Sequence, residues 1–174
     1  MAYSSTKKKS AGIVQISIGI LTVILVVLII AMMMIVSSIQ GTARIVNYAG
    51  LVRGKTQRIV KLEISGKQED DMIQEIESFI DGLMNGNKEL NLVRLEDSDF
   101  QTKMEELNEY FLMLEQEIMQ VRAYGADKTQ ILSKSEHFFE ICDEATGLAE
   151  VYSQRKASLL SVFEKYITAD IVVL

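Results

Sequence analysis

The stretch Ser98–Val121 reads SDFQTKMEELNEYFLMLEQEIMQV. Within it Phe100, Met104, Leu107, Phe111, Leu114, Ile118 and Val121 recur at alternating spacings of four and three. That is a heptad seam, the mark of a helix whose apolar stripe packs against antiparallel neighbours. Ser98 with Gln101 offers a capping box at its start, and Gly125 closes it. Glu105, Glu106 and Glu109 fall off the seam as a solvated face, and Glu115 with Glu117 likewise. A helix with one such stripe cannot bury it alone, so the rest of the chain must supply partners.

Those partners are legible on both sides. Upstream, Asp70 to Gly86 predicts a helix with Met72, Ile76, Phe79 or Ile80, and Leu83 as its stripe. Its leading acids, Glu69, Asp70 and Asp71, suit the positive end of a helix, and Asn85-Gly86-Asn87 stops it. The connection from Asn87 to Asp97 carries Leu90, Leu92, Val93 and Leu95, so it is expected to pack down on the helices. Downstream, a helix beginning near Ser133, with Glu136 as capping partner, runs past Ile167. Its stripe is Phe138, Ile141 or Cys142, Ala145, Leu148 or Ala149, Tyr152, Leu159, Phe163 and Ile167, and Phe138-Phe139 and the methionines read as core.

Further upstream, Ser10 to Ala43 contains no charged residue, and its apolar heart runs from Ala11 to Val36. A bilayer core of roughly 30 Å needs about 20 helical residues, so this run is long enough to span. It is also longer than the apolar region of a cleaved signal peptide, about 7–15 residues. Lys7, Lys8 and Lys9 precede it, which by the positive-inside tendency places the N-terminus in the cytoplasm and the bulk of the chain outside. The membrane helix is expected to continue into a first outer helix, Ser37 to about Ile64, stopped by Ser65-Gly66. Ile45, Ala49, Val52, Thr56, Ile59 and Val60 share its core face.

The fold class that follows is all-α: one N-terminal transmembrane helix continuing into an up-down-up-down antiparallel four-helix bundle. The expected organisation is a cytoplasmic N-terminus over 1–10, a transmembrane helix over 11–36 and an extracytoplasmic bundle over 37–170. Residues 171–174, Ile-Val-Val-Leu, read as the start of a second membrane helix, cut off. Composition agrees, since the chain has no Pro and no Trp, and Pro is the main breaker of long helices. Fifteen of its 18 basic residues and all 24 acids follow the apolar run, for a net charge of −9 there. A nucleic-acid partner wants a basic stripe, so none is expected. The single cysteine, Cys142, allows no internal disulfide.

Beside the core face of the first outer helix lies a second face of small or polar residues: Val46, Gly50, Arg53, Gly54 and Gln57. Here the stretch Asn47–Arg58, NYAGLVRGKTQR, has the pattern Asn47-x-Ala49-Gly50-x-x-Arg53-x-x-Thr56-x-Arg58. It resembles the motif on the first outer helix of bacterial nitrate/nitrite sensor histidine kinases. With Gln57 included, it also resembles the N-terminal sensor domain of type IV pili methyl-accepting chemotaxis transducers. The resemblance implies a homodimeric, extracytoplasmic four-helix bundle that serves as a receptor's ligand-sensing input domain. Carried over by position, it places the ligand-binding arginine on Arg53, with Asn47 and Gly50 shaping the backbone around it. Tyr48 departs from the family's usual basic residue, and Gly54-Lys55 from its larger, less charged ones.

The physical chemistry of that face leads the same way. Arg53 stands 17 residues beyond Val36, about 25 Å at a rise of 1.5 Å per residue. If a twofold axis passes beside the glycines, two Arg53 side chains face each other unneutralised and repel. A small planar anion such as nitrate would relieve that repulsion and accept forked hydrogen bonds from both. Gln57 lies close enough on the wheel to line the same site, whereas Arg58 points elsewhere, toward acids or solvent.

Other chemistry is weaker. His137 is the only histidine, so a di-iron bundle with two Glu-x-x-His pairs is excluded. No zinc-ligand spacing joins His137, Cys142 and the acids, and Cys142 reads as a small buried apolar residue. No Gly-rich phosphate loop is present, and neither a cofactor nor a catalytic site is expected. Two function classes remain: a receptor input module with a small anionic ligand, itself and membrane lipid as partners, or a membrane-anchored helical protein-interaction module with no small ligand.

Overall fold

The computed structural model describes residues 2–125 and 128–173, with the side chains of residues 2–13 outside that description. Four helices follow one another: α1 (Ala2–Ile64), α2 (Asp70–Asn85), α3 (Ser98–Tyr124) and α4 (Lys128–Val173). Among the described residues the only β pairing is an isolated bridge between Asn87 and Leu92. The chain divides into two compact units, Gln40–Gln154 on the one hand and Met1–Ile39 with Arg155–Leu174 on the other.

Within Gln40–Gln154 all four helices contribute to one core. Cross-helix pairs set its topology. Lys55 of α1 meets Glu75 of α2, and Tyr48 meets Phe79. Arg122 of α3 meets Asp70 of α2, and Glu115 lies close to Glu77. Phe111 of α3 meets Phe138 of α4, and Lys103 meets Glu144. Gln57 of α1 reaches Ser135 of α4, and Arg53 reaches Asp143. In each neighbouring pair the numbers rise on one helix as they fall on the other, which is the up-down-up-down antiparallel bundle.

The seam of α3 is buried throughout, from Phe100 at 0% exposure to Val121 at 9%. The expected stripe of α1 is buried as well. Glycine punctuates the ends as the sequence requires. Gly86 ends α2 at φ +82°, and a Cβ there would stand 3.2 Å from the Arg94 backbone nitrogen. Only a residue without a side chain takes that φ and admits that close approach. The connection beyond it packs down through Leu92 and Leu95, but Val93 is exposed, its Cγ2 lying 2.8 Å from where a Cβ on Gly41 would stand.

Five local expectations are corrected. Ile73, not Met72, leads the buried stripe of α2, with Met72 only partly buried. The cap of α3 is Asp97, one residue ahead of Ser98: its carboxylate accepts from the Phe100 N–H at 3.1 Å, a charge-assisted bond at the positive helix end. Gln101 turns instead to donate to the Leu95 carbonyl. Helix α4 begins at Lys128 rather than Ser133. Ile131 (0%) and Ser135 (1%) are buried there, and Lys128 Nζ donates to the Ile64 carbonyl at 2.6 Å, so packing and a cross-helix bond add turns that no capping signal marks. Glu117 is not solvated but 9% exposed, neutralised by Lys134 of α4. Finally, Phe139 is 38% exposed rather than core.

In the other unit, α1 is long and apolar enough to cross a membrane, and the qualifying window is wholly unburied. Ile16, Val23 and Met33 are each more than 60% exposed, the surface that lipid would cover. On α4, Leu159 is exposed, while Leu160, Phe163 and Ile167 are partly buried. Ile171, Val172 and Val173 are exposed. Lys7, Lys8 and Lys9, and Leu174, lie outside the described side chains.

Thr56 carries an internal tension. It sits 1% exposed on the core face of α1, and its hydroxyl has no hydrogen-bond partner among the described residues. A buried unsatisfied hydroxyl costs about 1–3 kcal/mol. Thr56→Val keeps the shape and removes the hydroxyl. It is expected to stabilise the bundle by about 1 kcal/mol, read as a higher urea midpoint with an unchanged slope.

Candidate functional site

The motif's residues divide by the helical period. Ala49, Val52 and Thr56 turn into the core. Gly50, Arg53 and Gln57 lie on the flank toward α4, each partly buried. Asn47 lies about 120° round the helix from Arg53, exposed on the outward face with Leu51, Gly54 and Arg58. Arg53, Gly50 and Gln57 are thus brought to one edge, and Asn47 is not.

Arg53 is not unpaired, as the sequence had suggested. Its Nη1 donates to Asp143 Oδ1 at 2.5 Å, and its guanidinium carbon stands 4.9 Å from the centroid of the Phe139 ring. The reason is the phase of α4: Phe139 and Asp143 are four apart, hence neighbours on one helix flank, and that flank borders α1. The arrangement is a cation held between a ring face and a carboxylate. Its side chain keeps 34% exposure and that of Asp143 63%. An exposed pair of this kind contributes about 0–1 kcal/mol, so it neutralises Arg53 without locking it. Gln57 Nε2 donates to the Ser135 carbonyl at 3.0 Å, which fixes its amide beside Arg53 and ties α1 to α4.

Gly50 and Gly54 face open space among the described residues. A Cβ at either position would meet nothing within 4 Å. Gly inside a helix costs about 0.5–1 kcal/mol relative to Ala. Gly54→Ala is therefore expected to stabilise the chain by that amount, read as a higher urea midpoint with an unchanged slope.

The two departures from the family motif fall outside this edge. Tyr48 packs edge-on against Phe79 of α2, centroids 4.9 Å apart. Lys55 pairs with Glu75 at 2.6 Å. Both face α2, on the other side of α1. Arg58 is exposed. Cys142 is fully buried beneath Asp143, and burial pushes its thiol up to about 12, so it is not a thiolate at neutral pH. His137 lies against the Tyr110 ring and Glu140, with its side chain half exposed.

Sequence reasoning missed Asp143 and Phe139. A signal existed: on the α4 wheel both fall together on one flank of the stripe of Phe138, Cys142, Ala145 and Ala149, about 60° and 100° beyond Cys142. What the wheel lacked was which neighbour that flank would meet.

The described helices thus form an antiparallel four-helix bundle that carries Arg53 on the edge between its first and last helices. Among solved structures, the chain is similar to the ligand binding domain of the P. aeruginosa nitrate receptor McpN. The TM-score is 0.58 at 18% sequence identity, covering 63% of this chain and 96% of that one. The likeness is one of fold, and it is the fold expected from the motif. No protein-family model matches the chain, and no curated protein does.

Proposed function

We propose that the chain is the ligand-sensing input domain of a bacterial transmembrane signal-transduction receptor, of histidine kinase, chemoreceptor or cyclase type. Its ligand is a small anion such as nitrate, taken up at Arg53 across a homodimer interface. The observation that carries this is the state of Arg53: a guanidinium about one-third exposed, positioned by an aromatic ring, whose only acid partner among the described residues is an exposed carboxylate. The fold shared with a nitrate receptor's ligand binding domain supports it, as do two glycines with open space beside them on the same helix.

In this reading Asp143 is the resting counter-ion of Arg53. A second copy packed along Gly50 and Gly54 brings two guanidinium groups together, and their repulsion is relieved by one planar anion that accepts from both. The ligand replaces Asp143 and favours one packing of the dimer over another. Arg53 and the apolar segment belong to the same uninterrupted helix, which offers the route for that change to reach the membrane. The apolar segment anchors the chain with its N-terminus in the cytoplasm.

Calorimetric titration of nitrate and nitrite into the full chain in lipid nanodiscs tests the assignment. Heat for wild type and none for Arg53→Ala is the expected result. No heat for wild type, or equal heat for the variant, disposes of it and leaves the protein-interaction reading. Asp143→Asn removes the internal competitor and keeps the shape. It is expected to tighten anion binding up to about fivefold, the equivalent of a pair contributing up to about 1 kcal/mol.

A further inference from the structure

A cavity of about 550 Å³ opens at the far end of α1, lined by Gln57, Arg58, Val60, Lys61, Ile64 and Leu132, with Ser65 at its lip. Although the chain beyond the apolar run is strongly acidic, this lining holds two cations and no acid. Arg58 and Lys61 are three apart, so they project from one side of the helix. Both are exposed, and neither has an ion pair or side-chain hydrogen bond among the described residues. A third cation stands close by, since Lys128 donates to the carbonyl of the lining residue Ile64. Apolar side chains from α1 and α4 supply part of the remaining lining. Val60 is buried, Ile64 is half-buried, and Leu132 leaves 47% of its surface uncovered.

From this juxtaposition we infer that the cavity is a second ligand site, selective for a monocarboxylate with an apolar body, such as an aromatic or branched-chain acid. The carboxylate accepts charge-assisted hydrogen bonds from Arg58 and Lys61. The body covers Leu132 and Ile64 and removes their apolar surface from water. An inorganic anion meets only the cationic half, and a neutral apolar molecule only the other. The site borders the Arg53 edge through Gln57 but does not include Arg53, which lies five residues and about 7.5 Å back along the helix from Arg58. It goes beyond the function proposed above, because it needs neither Arg53 nor a dimer.

Benzoate and acetate, titrated calorimetrically into the full chain in zwitterionic nanodiscs, supply the test. Benzoate is expected to bind at least tenfold more tightly than acetate. The Arg58→Gln, Lys61→Gln double variant is expected to lose benzoate affinity at least tenfold, with an unchanged melting curve because both side chains are exposed. Leu132→Ser should weaken benzoate and leave acetate unaffected, whereas Arg53→Ala should keep benzoate within twofold of wild type. Equal affinity for the two acids overturns the inference. So does benzoate binding that survives the double variant, or that disappears with Arg53. Nitrate binding is scored separately by Arg53→Ala, so failure of either site leaves the other still measurable.

Discussion

Arg122→Ala is expected to lower the unfolding free energy of the bundle by about 3–5 kcal/mol. Arg122 closes α3 onto two other helices. Its Nη2 and Nε reach the two oxygens of Glu63 at 2.5 and 3.0 Å, and its Nη1 reaches Asp70 at 2.6 Å. The forked geometry is the strong form of a carboxylate pair. The decisive fact is the burial of Glu63, whose side chain keeps 2% exposure. Truncating the arginine leaves a carboxylate inside the protein with no cation, and that desolvation cost dominates the loss. The hydrogen bond to Glu63, more than that to the exposed Asp70, raises the pKa of Arg122 against the opposing effect of burial. Urea unfolding followed by circular dichroism measures the effect. An Arg122→Met, Glu63→Leu double variant should recover most of the stability, because it removes both charges and not one. A single variant that loses under 1 kcal/mol would mean that Glu63 reaches water.

Phe138→Ala comes next, with an expected loss of about 3–5 kcal/mol. Phe138 is 1% exposed, and its ring lies 5.7 Å from that of Phe111 on the facing helix. Removing it opens a cavity in the middle of the α3–α4 contact, where the seam on one side and the stripe on the other leave little room to collapse. Its chain neighbour is the control. Phe139→Ala should cost about 1 kcal/mol or less, because that ring is 38% exposed and mainly supports the Arg53 guanidinium. The two variants would therefore separate the stability of the core from the setting of Arg53: the first unfolds the bundle more easily, and the second alters the Arg53 edge.

These two phenylalanines show where the sequence stops being informative. Adjacent residues on a helix lie 100° apart, so at the edge of a stripe one of two neighbours turns out, and two aromatic side chains in a row carry no mark of which is inside. The same holds for Glu117. Its charge points to solvent in any sequence pattern, and only the arrival of Lys134 from α4 makes its burial tolerable. Asp97 took the cap from Ser98 for a related reason: both residues suit the position, and the backbone path out of the connection decides between them.

What the amino-acid order alone determined is the number of helices, the face each one buries, and the apolar run at the start. Those are periodic properties, and burying apolar area on a helix depends only on spacing along the chain. Gly50, Arg53 and Gln57 share one flank of α1 for the same reason, whereas Gly54, read onto that face as well, turns outward. The partners of Arg53 were a matter for the tertiary structure. Asp143 and Phe139 lie some 90 residues away in the chain, and their meeting with Arg53 depends on how α4 is rotated against α1. That rotation is set by the packing of both stripes into one core, and no single helix holds the information.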